Sequence, residues 1–243
     1  MLIIGIGVLL TGSVLAQTQS TSSSWQSMKI LETAEPVFPA HLLQIGAVQG
    51  EARVVINTDA DGNLADWLVV GYTHPEFADA AVKAIKQWKF EPARLRGDPV
   101  GTTVELSFYF EAKGVVISTT TPSDLLEARF MRFRDNRYVY QPCDPRELDR
   151  TPAPLVTIAP RYSSELAKQG VKGTVTIEFF IDENGLVRLP SGVNADNNLL
   201  TALALEAVKQ WKFTPPTSRG KGVLVKASQL FDFDGASAKA ATS

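Results

Sequence analysis

The sequence predicts an α+β protein of two tandem β-β-α-β units, each a three-stranded antiparallel sheet with a helix packed on one face. Three observations predict this fold. The chain repeats itself, each copy has a hairpin pattern, and in each copy a helical apolar stripe is followed by an alternating strand. At 243 residues the chain is long enough for two such units, each with a core of its own.

The repeat is the strongest of these features. Residues 50–110 match residues 173–233 without a gap, at an offset of 123, with 17 identities in 61 positions. The densest block is Lys-Gln-Trp-Lys-Phe-x-Pro at 86–92 and again at 209–215. An accidental match of this length is very improbable, so each copy is one structural unit.

Each copy begins with a hairpin. Residues 53–57 and 174–181 are β-branched or aromatic runs, which favour strands. They lead to Asp61-Gly62 and Asn184-Gly185, dipeptides that tolerate the positive φ angles of a tight turn. The return strand starts at Leu64 in the first copy and at Leu186 in the second.

A helix and a last strand complete each copy. Apolar residues recur at helical spacing over 77–88 and over 200–211, and Pro92 and Pro215 follow the helices. Residues 102–110 and 223–233 then read as the last strands. The residues of these strands that we single out as partner-binding are Val104, Leu106, Phe108, Phe110, Val225, Ala227, Gln229, Phe231 and Phe233.

Composition excludes several classes of function. A net charge of -2 gives no basic field for nucleic acid, and one cysteine with two histidines supplies neither a disulfide nor a usual zinc site. Residues 129–140 interleave arginine with aromatics; we favour an edge strand packed on a neighbouring domain over a nucleic-acid strip. No nucleophile elbow, phosphate loop or metalloprotease motif is present, so we expect no enzyme, catalytic residue, metal or cofactor.

The ends of the repeats define the remaining segments. Residues 1–16 are uncharged and apolar, too short to span a bilayer comfortably, and Val14-Leu15-Ala16 suits signal cleavage before Gln17. We therefore expect a signal peptide at 1–16 and a polar lead-in at 17–33. Residues 113–155, rich in proline in their second half, are the predicted inter-domain segment, and 235–243 the predicted disordered tail.

The two copies carry a family resemblance. Each has an aromatic-proline start, a glycine before the first strand, an Asp-x-x-Gly turn, a helix ending in Trp-Lys-Phe-x-Pro and a Phe-x-Phe strand. In this order and spacing the chain resembles the C-terminal domain of the TonB energy-transducer family, present twice, at residues 34–112 and 156–234. The second copy departs locally, with Ser163 where the aromatic is usually followed by proline.

The resemblance implies a periplasmic module that takes part in TonB-dependent transport. Such a module holds the N-terminal peptide of an outer-membrane receptor by adding it as a strand to the sheet edge. The alternative is a structural or regulatory envelope protein that kept the fold without transducing energy; a hydrolase on the same scaffold would need a clustered polar pocket. Membrane association is expected only through an uncleaved N-terminus, and self-association stays open.

Overall fold

The α+β class predicted from the sequence is confirmed. A computed structural model of the chain describes residues 25–112, 138–193, 197–234 and 238–241. It divides the chain into two compact units, Met1–Gln141 and Pro142–Ser243, and both combine antiparallel strands with helices. The predicted signal peptide at 1–16 and residues 113–137 of the predicted inter-domain segment lie outside the described residues.

The first unit contains eight strands and two helices in the ranges described. Its helices are α1 (Ala40–Gln44) and α2 (Pro75–Ile85). Its strands are β1 (Trp25–Gln26), β2 (Lys29–Glu32), β3 (Gln49–Thr58), β4 (Leu64–Tyr72), β5 (Lys89–Glu91), β6 (Ala93–Leu95), β7 (Asp98–Val100) and β8 (Thr102–Glu111).

A three-stranded antiparallel sheet in the order β4-β3-β8 forms the centre of this unit. Helix α2 packs on one face of it, beginning at Pro75, whose fixed φ suits a first helical position. Phe77, the first apolar residue of the helix, is fully buried, and its ring centroid lies 4.6 Å from that of Phe110 on β8. Gly50 on β3 makes room for that ring, since a Cβ there would stand 2.0 Å from it.

A turn closed by Asp59 joins β3 to β4. One carboxylate oxygen of Asp59 accepts hydrogen bonds from the backbone N–H groups of Asp61 and Asn63, and the other accepts one from the Asn63 side chain. These bonds, that of the Asn63 side chain above all, hold the pKa of Asp59 below its usual range. Gly62 has φ 85°, and a Cβ on it would lie 2.4 Å from the carbonyl oxygen of Phe90. The Asp-x-x-Gly turn therefore packs directly on the backbone of the Trp-Lys-Phe segment.

The residues before position 34 belong to the first unit. The sequence predicts a polar lead-in at 17–33, but within it β1 pairs with β6 and β2 pairs with β5. We call residues 25–34 the N-terminal strap. The indole N–H of Trp88 donates to the carbonyl oxygen of Ala34 at 2.9 Å and holds the strap against the end of α2. The correction has a physical reason: strand pairing uses backbone groups, which a polar composition does not reveal.

The second unit repeats this plan, and a fourth strand extends its main sheet. Its helices are a 3-10 turn (Pro145–Glu147), α3 (Ser164–Lys168) and α4 (Asn198–Val208). Its strands are β9 (Pro154–Val156), β10 (Gly173–Ile181), β11 (Val187–Val193), β12 (Lys212–Phe213), β13 (Thr217–Ser218), β14 (Lys221–Gly222), β15 (Val225–Phe233) and β16 (Ala238–Ala241). The main sheet has the order β11-β10-β15-β16.

The repeated landmarks occupy the same places in the second unit. The indole N–H of Trp211 donates to the carbonyl oxygen of Ile158 at 2.8 Å, as Trp88 does to its own strap. Asp182 caps the turn between β10 and β11 by accepting from the N–H groups of Asn184 and Leu186. A Cβ on Gly185, whose φ is 79°, would lie 2.1 Å from the carbonyl oxygen of Phe213. The turn contacts thus repeat at the offset of 123, whereas the two indole acceptors, Ala34 and Ile158, are 124 positions apart.

Two segments that the sequence places outside the domains are ordered against them. The predicted inter-domain segment 113–155 contributes Asp149, whose carboxylate accepts hydrogen bonds from the backbone N–H groups of Arg219 and Gly220. The predicted disordered tail at 235–243 contributes β16, which pairs with β15. Both segments are held by hydrogen bonds to backbone groups, and an apolar sequence pattern does not predict such bonds.

The two indole hydrogen bonds can be tested by substitution. We expect Trp88→Phe to lower the free energy of unfolding by about 1–2 kcal/mol, because the carbonyl of Ala34 loses its donor. Relative to the unmodified chain, the rate of hydrogen exchange should rise more in β2 than in β3. Trp25→Phe is the control, because the Trp25 side chain is exposed and lies in β1. An equal increase of the exchange rate in β2 and β3 of the Trp88 variant would contradict this role.

Candidate functional site

The last strand of the first unit lies at the edge of its sheet. β8 pairs with β3 along its whole length, from Thr102 opposite Thr58 to Glu111 opposite Gln49, without a register shift. No other strand in the described ranges of the first unit pairs with β8. A strand in this position offers a row of backbone N–H and C=O groups to an added strand.

The register shows which backbone groups of β8 point outward. The N–H of Ala112 donates to the carbonyl oxygen of Val48, so the even-numbered residues of this antiparallel ladder direct their backbone groups to β3. The carbonyl oxygen of Glu51 accepts from the N–H of Thr73, so an odd-numbered residue of β3 directs its backbone group towards β4 and away from β8, as this alternation requires. The backbone groups of Thr103, Glu105 and Ser107 therefore point away from β3.

The strand residues named from the sequence anchor β8 and do not themselves form its outer edge. Leu106, Phe108 and Phe110 are buried under the helices, and Val104 packs against the same core. Their backbone groups face β3. In the second unit Phe231 and Phe233 are buried in the same way, and Val225 is buried as well. Ala227 packs on the core and Gln229 is half-buried. These nine residues fix the two strands, and the residues between them supply the edge groups.

A polar and aromatic cluster covers the face of the first sheet that is opposite α2. The guanidinium of Arg53 lies 4.5 Å from the centroid of the Tyr138 ring and 3.4 Å from a carboxylate oxygen of Glu105. Burial raises the pKa of the Tyr138 phenol, and a hydrogen bond with Glu51 raises it further. A cation over an aromatic face is attracted to the ring quadrupole, so Tyr138 and Arg53 stabilise each other here.

Residues 138–140 cover the other edge of the first sheet. The N–H of Tyr72 donates to the carbonyl oxygen of Tyr140, and the N–H of Val139 donates to the carbonyl oxygen of Tyr72. The Tyr72 and Tyr140 rings stack, with centroids 5.1 Å apart. The favoured interpretation of the arginine-aromatic segment, edge pairing on a neighbouring domain, describes these residues; 129–137 lie outside the described part of the chain.

The corresponding edge in the second unit is occupied. β16 pairs antiparallel with β15, with Leu230 opposite Ala241 and Phe233 opposite Ala238. The pairing covers the last four of the nine residues of β15. Within the residues that the structure describes, the two units therefore differ at the edge where a partner strand would be added.

Other polar groups do not assemble a reaction centre in the described ranges. The Nε2 atom of His41 lies 3.1 Å from a carboxylate oxygen of Glu76, and that pair is partly exposed. Cys143 is a half-buried free thiol. No group of three His, Cys, Asp or Glu side chains is placed to hold a metal ion in the residues described. His41 thus contacts Glu76, and neither histidine belongs to a ligand set in those residues.

One shallow groove in the second unit has a volume of about 200 Å³. It runs between residues 158–161 and α4, and its polar side chains are those of Arg161, Glu206 and Gln210. None of its lining residues is a serine, cysteine or histidine, so it offers no nucleophile beside a base. No helix of the described ranges is both long enough and apolar enough to cross a membrane.

Comparison with known proteins gives a consistent result. The model of the family described as Gram-negative bacterial TonB protein C-terminal matches this chain twice, at residues 34–112 and 158–234. Together the two segments make up more than half of the chain, which confirms the resemblance and its two copies.

Two individual proteins are also similar to the chain. The curated "Protein TonB" of Vibrio cholerae serotype O1 is 37% identical over 59 residues, which is 24% of each of the two chains. This chain thus spans about a quarter of the length of the curated relative that it matches. The solution NMR structure of the Pseudomonas aeruginosa TonB CTD is 24% identical, with a TM-score of 0.31, covering 38% of this chain and 98% of that one.

Proposed function

Because the chain belongs to the Gram-negative bacterial TonB C-terminal family, which links it to TonB-dependent transport, we propose that it binds peptides in the periplasm. The peptide is the N-terminal segment of an outer-membrane receptor, held as an added strand on β8. The apolar segment 1–16 directs export to the periplasm as a signal peptide and is then cleaved. Its task is to bind a partner, and no catalytic step is involved.

The observation that carries this proposal is the fixed edge of β8. The core residues of β8 hold the strand in place before a partner arrives, so little backbone entropy is lost by the protein on binding. Thr103, Glu105 and Ser107 direct their backbone groups outward, and an extended peptide matches that spacing whatever its side chains. Affinity then comes from main-chain hydrogen bonds.

The side chains beside the edge add selectivity. Glu105 is about half exposed on the face opposite α2, where its carboxylate lies within 3.4 Å of the Arg53 guanidinium. In an antiparallel pair, opposite residues share a face, and opposite charges across the pair stabilise it while like charges oppose it. A peptide with a basic or neutral residue opposite Glu105 is therefore favoured over one with an acidic residue there.

A proline substitution tests strand addition directly. We expect Ser107→Pro in the full chain to weaken binding of synthetic receptor N-terminal peptides by about tenfold or more, because proline removes an outward N–H. Ser107→Ala is the matched control: it keeps the N–H, and we expect its dissociation constant to stay within about twofold. Fluorescence anisotropy with labelled peptides measures both.

The outcomes separate the candidate functions. Loss of binding in the proline variant, with the hydrogen-exchange protection of β3 retained, supports strand addition at β8. Equal binding by both variants overturns that site. Failure of every receptor peptide to bind the unmodified chain overturns the proposed function and leaves the alternative, an envelope protein that kept the fold and binds other partners.

A further inference from the structure

In the part of the chain that the structure describes, the second unit has an added edge strand, β16, and no strand is paired at the matching edge of the first unit. β16 extends its sheet to four strands, and its register runs antiparallel to β15 over four residue pairs. The sequence from Asp234 to Ser237 connects the two strands, so the added strand is supplied by the same chain at very short range. It begins with Asp234-Gly235, a dipeptide typical of hairpin connections.

The tail strand lies along the edge that corresponds to the proposed binding edge. β10 and β15 pair in the same phase as β3 and β8, since Phe231 lies opposite Val175 as Phe108 lies opposite Ala52. The outward backbone groups of β15 thus belong to Leu230, Asp232 and the alternate residues before them. β16 pairs with β15 over the stretch that contains both of these residues.

We propose that the tail segment Ala238–Ala241 occupies the edge of the second unit as an internal ligand, whereas β8, which has one paired strand in the described ranges, offers its other edge to a partner. This inference rests on the proposed function, because it assumes that a sheet edge is where the partner binds. The two copies therefore have different roles. The first binds the receptor peptide, and the second becomes a binding site only when its tail is released.

The properties of the tail suit a displaceable occupant. Its four paired residues are three alanines and a lysine, residue types with little apolar surface to bury. Its short connection gives it a high effective concentration at the edge, against which any free peptide must compete. If the edge is covered nine-tenths of the time, the apparent affinity of a peptide for it falls about tenfold.

The pairing itself can be tested without any peptide. Asp232 and Lys239 are register partners, and paired strand residues stand at a distance that a disulfide can bridge. We expect D232C/K239C, in a chain that also carries Cys143→Ser, to form this disulfide under mild oxidation. D232C/A240C is the control pair, because the register partner of Ala240 is Phe231 and not Asp232. Equal yields for both pairs, or no disulfide, overturn the proposal.

The effect on binding is measured by stoichiometry. We expect the full chain to bind one receptor peptide, and the chain ending at Asp234 to bind two. Lys239→Pro should increase binding at the second unit, because Lys239 is the register partner of Asp232 and a proline there cannot donate to β15, whereas Lys239→Thr should not. The oxidised D232C/K239C chain should bind one peptide, and its reduced form should bind no fewer.

The outcomes of this test are distinct from those of the proposed function. One peptide on both the full and the shortened chain, located on β8, overturns the internal-ligand proposal and leaves the function intact. Two peptides on the full chain also overturn it. If no peptide binds either chain, the proposed function fails and the tail proposal fails with it, even where the disulfide shows that the tail is paired.

Discussion

Replacing Gly185 by alanine is expected to lower the free energy of unfolding of the second unit by about 3–5 kcal/mol. Two costs add at this position. The residue has φ 79°, a conformation that costs a residue with a Cβ about 1–2 kcal/mol. The added Cβ would also lie 2.1 Å from the carbonyl oxygen of Phe213, which is backbone and cannot rotate away. Denaturant unfolding followed by hydrogen exchange in β10 and β15 measures the loss.

Gly220→Ala is the matched control for this prediction. Gly220 has φ 72°, so an alanine there bears the same conformational cost, but nothing lies within 4 Å of its added Cβ. We expect a loss of only about 1–2 kcal/mol. Equal losses in the two variants would contradict the close approach of the turn to the Trp-Lys-Phe segment, and would assign the whole effect to the φ angle.

The second large effect is expected at Phe77. Truncation to alanine should cost the first unit about 3–5 kcal/mol, because the ring is fully buried and packs against Phe38 and Phe110. Phe77→Leu should cost about 1–1.5 kcal/mol, since leucine occupies the matching position, Leu200, in the second unit. Urea unfolding with hydrogen exchange in β3 gives both values.

Gly50 provides a coupling test of the same core. Alanine there would collide with the Phe77 ring, at 2.0 Å, so Gly50→Ala alone is expected to be strongly destabilising. In combination with Phe77→Leu the collision is relieved, and the double variant should be more stable than the two single losses together predict. Strict additivity would show that the glycine is not there to accommodate the ring.

The parts of the fold that depend on side-chain packing could be predicted from the sequence. The repeated Trp-Lys-Phe and Asp-x-x-Gly motifs meet in the structure, because the glycine of each turn packs on the backbone beside the aromatic residue. The alternating apolar residues of β8 indicated the strand and its buried face correctly. Such patterns exist because burial of apolar surface selects residue types.

Features made by backbone pairing alone escaped prediction. The strap β2 and the tail strand β16 are joined to their sheets through main-chain groups, which impose no residue type. A comparison of Ile30-Leu31 with Leu155-Val156, short apolar runs before each copy, could have found the strap. The Asp234-Gly235 dipeptide could have suggested the tail hairpin.

The phase of the edge was also beyond the sequence. Alternation shows which residues of β8 face the core, and it led to Val104, Leu106, Phe108 and Phe110. Whether those residues also direct their N–H groups outward depends on which side of β8 the central strand lies. That is a property of the topology, and only the paired register reveals it.

Residue-resolved hydrogen exchange of the full chain, with and without a saturating receptor N-terminal peptide, tests strand addition on β8 most directly. The account predicts an alternating result. The amides of Thr103, Glu105 and Ser107 should exchange at least about tenfold more slowly with peptide, while those of Leu106 and Phe108, already bonded to β3, should change little. A bound peptide that leaves these three amides unchanged, or slows all five equally, would contradict strand addition at this edge.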